Sequence, residues 1–104
     1  MTSAMKIRAI VWMREINELQ AEGLPSDRPI HKGWGATFSF HGRLYPGRVL
    51  ECPKPIQPGT SGQAVIGVFY SDNVASELEV GTVFELLEGP KLVATAKVLN
   101  VEQD

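Results

Sequence analysis

Apolar and polar residues alternate one by one near the start of the chain. The apolar side of residues 6–13 consists of Ile7, Ala9, Val11 and Met13. A period of two is typical of a β-strand with one buried face, so we predict a first strand over residues 6–13. The charged segment 14–22 follows and stops at Gly23, and it is compatible with about two helical turns or with a charged loop.

The alternation returns after a loop rich in glycine, proline, serine and aspartate at 23–29. One face of the next segment consists of Trp34, Ala36, Phe38 and Phe40. This pattern predicts a second strand with one buried face. Residues 41–43 are short enough for a hairpin turn into a third strand over 44–51, and Pro46 and Gly47 make that strand an edge strand or a bulged one.

Turn-forming residues punctuate the second half of the chain. The proline-rich segment 53–58 excludes regular structure, and residues 59–62 predict a turn. Residues 64–70 are strongly apolar and predict a strand that is covered on both faces. We expect a polar, acidic loop over 71–81.

Two further apolar segments, 82–87 and 92–101, flank Glu88-Gly89-Pro90-Lys91 and predict the last hairpin. Taken in order, about six strands separated by turns predict an all-β fold, either a small antiparallel barrel or a sandwich. The alternating apolar positions predict a core that includes Trp34, Phe38, Phe40, Ile66, Val68 and Phe84.

Length and composition limit the classes of protein that fit. The chain has 104 residues, 43% of them hydrophobic, and a net charge of −2, which predicts one globular domain over residues 1–104 and excludes a disordered chain. A two-domain nucleotide enzyme does not fit into this length. Cys52 is the one cysteine, which excludes an intramolecular disulfide and agrees with a reducing compartment. The apolar run 9–13 is too short for a signal peptide or a membrane span, so we expect a cytoplasmic protein.

Charge is unevenly distributed along the chain. Residues 1–52 carry more basic than acidic side chains, and residues 53–104 carry more acidic than basic ones. The overall negative charge argues against strong nonspecific binding to a phosphate backbone. A local basic patch in the first half of the chain remains compatible with the sequence.

The residues with reactive side chains form no recognisable catalytic or metal-binding pattern. His31, His41 and Cys52 do not have the spacing of metal ligands. The segment 59–62 lacks the lysine and the following helix of a phosphate-binding loop, and the acidic residues of 72–79 lack the spacing of a calcium loop. We therefore expect no enzyme activity, no metal and no cofactor, GTP included.

Basic residues are interleaved with aromatic ones over 32–48, a pattern that also occurs in nucleic-acid-binding domains. Stacking residues for bases must be exposed. Trp34, Phe38 and Phe40 share one alternating face, which favours a role in the core over stacking on bases.

Three segments resemble the C-terminal (third) domain of elongation factor Tu. His31-Lys32-Gly33-Trp34-Gly35-Ala36-Thr37-Phe38-Ser39-Phe40 is similar to the K-G-Y-R-P-Q-F-Y-F strand of that domain. Pro58-Gly59-Thr60-Ser61 is similar to its M-x-P-G-D-N turn, and residues 81–99 are similar to its last hairpin, above all at Glu88-Gly89 and at 96–99. The resemblance extends over about residues 6–100.

The resemblance implies a closed antiparallel β-barrel of about six strands and a non-catalytic docking role. In that family the GTPase chemistry belongs to a separate domain, and the third domain contacts aminoacyl-tRNA, the exchange factor and the GTPase domain. Two cations of the family's tRNA contact correspond to Gly35 and Tyr70 here, whereas Glu88 and Gly89 are retained. We therefore expect tRNA binding to be weak.

The leading functional hypothesis is a free-standing binding module that docks a protein partner, either a translation component or a second copy of itself. The alternatives are a weak tRNA- or RNA-binding domain and a protective or decoy protein that mimics the translation factor. The candidate partner- or RNA-binding residues are Lys32, Arg43, Arg48, Tyr70, Glu88, Gly89 and Lys91.

Overall fold

The computed structural model describes residues 5–23, 29–40, 42–68 and 78–103. The strands are β1 (Met5–Met13), β2 (Gly35–Phe40), β3 (Arg43–Glu51), β4 (Ser61–Val68), β5 (Val83–Glu88) and β6 (Lys91–Gln103). One helix, α1 (Ile16–Ala21), follows β1. No helix within these ranges is long and apolar enough to cross a membrane.

The six strands form a closed barrel in the order β1-β4-β3-β2-β5-β6. Every neighbouring pair is antiparallel, and closure comes from β1, which pairs with both β4 and β6. Ile7, for example, lies opposite Ile66 on one side and Val101 on the other. The prediction of a closed six-stranded antiparallel barrel is thus confirmed.

The inward face of the alternating strands forms the core. Buried and exposed residues alternate along β1 as the sequence pattern predicts. Phe84 lies between two aromatic rings of β2, with centroid distances of 4.8 Å to Phe40 and 6.3 Å to Phe38. Of the predicted core residues, Phe38, Phe40, Ile66, Val68 and Phe84 are buried. Trp34 lies just before β2 and is only half-buried, because it packs against the core from the rim.

β3 carries the predicted bulge but is not an edge strand. It pairs with β2 and β4, and its register against β4 shifts between Val49 and Glu51. Pro46 lies opposite Thr37 of β2 and has no N–H to donate. It is accommodated because pairing with β4, on the other side of β3, begins only at Gly47. The closed barrel therefore tolerates a proline that would disrupt a fully paired strand position.

Two predicted boundaries around β4 are corrected by the structure. The turn predicted over 59–62 is limited to residues up to Thr60, and β4 already begins at Ser61. Gly59 makes this turn with a φ of +78° and donates its N–H to the carbonyls of Met13 and Arg14. The predicted cover on both faces over 64–70 is only partial, since Val65 on the outer face is half-buried. Residues 69 and 70 lie outside the described residues.

The segment after β1 is a helix rather than a loop. Leu19 of α1 is fully buried, which anchors this short helix to the barrel. Arg14, just before the helix, donates to the Glu18 carboxylate one turn later. Tertiary contact therefore decides between the two conformations that the sequence allowed.

Candidate functional site

The strand register determines which candidate residues share an end of the barrel. The β5–β6 turn lies at the end where β1 finishes and β4 starts, because Met13 pairs with Ala94 and Trp12 with Ser61. We call this the hairpin end. Lys32 lies there too, in the turn that precedes β2. Arg43 pairs with Phe40 in the β2–β3 hairpin, at the opposite end.

The predicted cations are therefore not brought together into one patch. Arg48 points outward from the wall, where it lies opposite Gly35 on one side and Gly67 on the other. It is separated from Arg43 along β3 and from the β5–β6 turn by β2. Tyr70 lies outside the described residues.

The β5–β6 turn has a structural role that the sequence did not indicate. Gly89 adopts a φ of +59°, a conformation that favours glycine, and Glu88 lies opposite Lys91 across the turn. The Lys91 ammonium donates a hydrogen bond to the carbonyl of Glu22 at the end of α1. A cation at a helix C-terminus is electrostatically favourable, so Lys91 holds the helix to the hairpin.

Arg14 provides a second connection between α1 and the hairpin. Its guanidinium donates to the carbonyl of Leu92 at 3.0 Å and to the carboxylates of Glu18 and Glu22. The hydrogen bond with Glu22 is the main reason that the pKa of Arg14 is raised. Sequence reasoning did not identify this residue, although the spacing of Arg14 and Glu18 by four positions was a signal for half of the contact.

A shallow surface cavity of about 120 Å³ lies on the outside of the barrel wall. It is lined by Lys6, Arg8, Leu50, Glu51, Val65 and Glu102. Two cations and two carboxylates balance in charge around two apolar side chains. Such a surface offers a phosphate backbone little net attraction.

Large apolar side chains are exposed on the outer face of β1, β5 and β6. Trp12 of β1 is 42% exposed and Val83 of β5 is 59% exposed. Val83 lies opposite Lys97 of β6, which lies opposite Ile10 of β1. Because Ile10 and Trp12 are two positions apart on β1, they lie on the same face, and so Val83 and Trp12 belong to one outer surface. Leu99, at the β6 bulge, adds a third exposed apolar side chain.

A groove of about 360 Å³ separates the segment after β3 from the first half of β4. Its walls are Pro53, Lys54, Pro55, Ile56, Ser61, Gly62 and Gln63. Ile56 and Ile30 exchange both backbone hydrogen bonds, at 2.8 and 2.9 Å, which fixes the outer wall. The outer wall is thus anchored by the backbone of Ile30 and by the buried Ile56 side chain, which packs over Gly62.

His31 and Cys52 each lie within hydrogen-bond distance of a backbone carbonyl. His31 is exposed and its Nδ1 lies 2.7 Å from the carbonyl oxygen of Lys32. The Cys52 thiol donates to the carbonyl of Lys54, and partial burial raises the pKa of Cys52 above its ordinary value. His41 lies outside the described residues.

Among the residues that the structure describes, no group of three or more histidines, cysteines, aspartates or glutamates could hold a metal ion. Glu85 and Glu88 are both exposed on or beside the last hairpin. No family model matches the sequence, and a comparison with curated proteins found no match either.

Proposed function

We propose that this chain is a non-catalytic binding module that docks a protein partner through the outer face of β1, β5 and β6. The observation that carries the proposal is the exposure of Trp12 on this face, together with Val83 and Leu99. Tryptophan is enriched among the residues that dominate protein–protein binding energy. Grouped exposed apolar side chains mark interaction sites more often than isolated ones do.

The polar residues of the same face suit a protein partner. Glu85 lies opposite Thr95, which lies opposite Trp12, and Lys97 lies between Val83 and Ile10. Charges of both signs around apolar side chains give the mixed composition of a non-obligate interface. An RNA surface would instead need several cations that reach successive phosphates.

The distribution of cations supports a protein partner over RNA. Arg43 lies at the end opposite Lys32 and Arg48, and Lys91 is engaged with the carbonyl of Glu22. The mixed charges around Lys6 and Arg8 add no continuous basic track. Weak RNA binding thus ranks below protein docking, and the decoy role stays an alternative.

The resemblance to the third domain of elongation factor Tu supports the same class of function, since that domain docks other proteins. On this basis the partner is a translation component or a second copy of this chain. The single cysteine, Cys52, agrees with a reducing compartment, and we place the binding in the cytoplasm. The β5–β6 turn at Glu88–Lys91 borders the proposed face and belongs to its rim in this proposal.

The test compares Trp12→Ser with Leu44→Ser as the matched control. Leu44 is also exposed, at 63%, but lies on β3 on another side of the barrel. Immobilised protein would be incubated with native cell extract, with and without nuclease, and self-association would be measured in parallel by sedimentation. We expect Trp12→Ser to lose the bound protein or the dimer, and Leu44→Ser to retain it.

Nuclease treatment should leave the bound protein unchanged, and so should a moderate increase in salt. A partner that is retained by Trp12→Ser would contradict the proposed face. A partner that is released by nuclease would replace protein docking with RNA binding.

A further inference from the structure

β4 has an open edge along its first half. Pairing with β3 ends at Glu51, which lies opposite Val65, whereas pairing with β1 continues to Ser61. The residues that follow β3 lead into Pro53, which has no N–H and so cannot donate to the next position of a ladder. Ser61 to Ala64 therefore have a strand neighbour on one side within the described residues.

The phase of the β1–β4 ladder shows which backbone groups face the open side. Met13 donates its N–H to the carbonyl of Thr60 at 3.0 Å. Hydrogen-bonded positions alternate along an antiparallel pair, so Gly62 is bonded to β1 and the N–H and C=O groups of Ser61 and Gln63 point the other way. Those groups point into the groove between β4 and residues 53–56.

The groove suits an extended chain better than a second folded barrel. Its outer wall, residues 53–56, runs beside the edge and is fixed by the Ile30–Ile56 bridge and by the hydrogen bond from Cys52 to the Lys54 carbonyl. A folded partner would meet this wall before it reached the edge. A single extended segment can enter, and a preformed site reduces the cost of ordering on binding.

Charge defines the partner further. Lys54 is the charged residue in the lining of the groove, it is exposed, and no ion pair joins it to another described residue. An acidic side chain on the incoming segment would therefore find an uncompensated ammonium. Pro53 and Pro55, which are both exposed, supply apolar contacts beside it.

We propose that the barrel binds an extended, acidic peptide segment of a partner as an added strand along Ser61–Gln63 of β4. Backbone hydrogen bonds to the open edge would provide the affinity, and Lys54 would provide the preference for a carboxylate. Ser61 lies opposite Trp12 in the β1–β4 ladder, so this site adjoins the outer face of β1, β5 and β6. The two proposals are tested by different variants, Lys54→Glu and Gln63→Pro for the edge and Trp12→Ser for the outer face.

The experiment uses the full chain and a blocked probe peptide, acetyl-Thr-Val-Asp-Val-Thr-amide, followed by amide chemical shifts in a titration. We expect the shift changes to centre on residues 54–63. Replacing the peptide's aspartate with lysine should weaken binding about tenfold, and Lys54→Glu should reverse that order of affinities.

Strand addition makes a further specific prediction, because alternate amides of an added strand face the edge. One peptide is therefore N-methylated at both valines and a second peptide at the other residues. Only one of the two sets of amides faces the edge, so the affinities of the two peptides should differ about tenfold. On the protein, Gln63→Pro removes the N–H that faces the groove and leaves the β1 ladder unchanged. Gln63→Thr keeps that N–H and is the matched control.

The proposal is overturned if the amide chemical shifts of the protein do not change at a peptide concentration of about 5 mM, because binding weaker than that is below useful affinity. It is also overturned if both methylation patterns weaken binding equally, or if the shift changes centre on Val83 and Leu99 rather than on 54–63. Should Gln63→Pro fail to fold, the methylated peptides still decide between strand addition and side-chain contact.

Discussion

Gly47 is the residue at which the inner packing of the barrel has the least room. A Cβ atom at this position would overlap the ring of Phe38 and approach the carbonyl oxygen of Gly67. Gly47 faces inward and its Cα partners are Ala36 and Val68, so the ring of Phe38 covers bare backbone. The tight fit means that the position of Phe38, one of the three largest buried side chains, depends on the missing side chain at Gly47.

Gly47→Ala should destabilise the barrel by about 2 kcal/mol or more, because neither the ring nor the neighbouring backbone can move away cheaply. Chemical denaturation would measure the free energy of unfolding. Gly42→Ala is not a suitable control, because Gly42 has a positive φ, whereas Gly35 has open space around it and an ordinary φ. Gly35→Ala should change stability by less than about 1 kcal/mol.

Phe38→Ala should cost about 3 kcal/mol or more, the usual range for truncating a buried aromatic residue. Phe38 is fully buried and its ring meets Phe84 edge to face. Denaturant unfolding would give the difference, with the exposed Leu44→Ala as the control. A loss below about 1 kcal/mol would show that the core refills the cavity.

The Cys52 thiol should react slowly in the folded protein. Its pKa is raised by partial burial, so less thiolate is present at a given pH than in the unfolded chain. We expect alkylation by iodoacetamide at neutral pH to be slower in buffer than in denaturant. Because the folded state holds this proton more tightly, the group's contribution to stability is present at low pH and is lost as pH rises above the unfolded pKa. Alkylation rates equal in the two states would contradict this assignment.

At the scale of elements, α1 is an attachment to the barrel rather than part of its wall. A helix of 6 residues is too short to be stable alone. It is held by the buried Leu19, by the Arg14 hydrogen bonds and by Lys91. The β5–β6 turn therefore has a structural task in addition to any task in binding.

Lys91→Ala should loosen α1 and leave the barrel intact. Hydrogen exchange of the amides of residues 19–23 should speed up, while that of β1 and β6 stays unchanged. Lys97→Ala removes a cation from the same strand without a helix contact and is the matched control. Equal exchange in both variants would show that Leu19 and Arg14 hold the helix without Lys91.

At the scale of the whole molecule, charge placement bears on the expected binding of nucleic acid. The net charge is −2, and Arg43 lies at the end of the barrel opposite Lys32 and Arg48. Each phosphate contact that is missing also removes the release of a counterion. Within the described residues, these cations form no continuous basic surface.

Any tRNA binding should be weak and should decrease steeply with salt. A fluorescence titration of labelled tRNA at low and physiological salt would measure it, with Lys32→Ala and Lys91→Ala as variants. We expect dissociation constants above about 1 µM at physiological salt. Submicromolar affinity that persists at physiological salt would contradict this expectation and favour the RNA-binding alternative.

The sequence by itself determined the strands and their inner faces. Alternation of apolar and polar residues marks which side of a strand is buried, since side chains alternate with a period of two, and so Phe38, Phe40, Ile66 and Phe84 were identified as core residues. The same local rule placed the last hairpin around Gly89. Boundaries were less accurate, as at Ser61, because turn-forming residues also occur within strands.

Only the tertiary structure decided between barrel and sandwich, between helix and loop over 16–21, and between free and engaged cations. Each of these depends on contacts between residues far apart in the chain: β1 with β6, Leu19 with the barrel, and Lys91 with the carbonyl of Glu22. The open edge of β4 is of the same kind, because it exists only where Pro53 ends the pairing with β3. A local pattern fixes which face a residue occupies, whereas the partner of that face is fixed by the path of the chain through space.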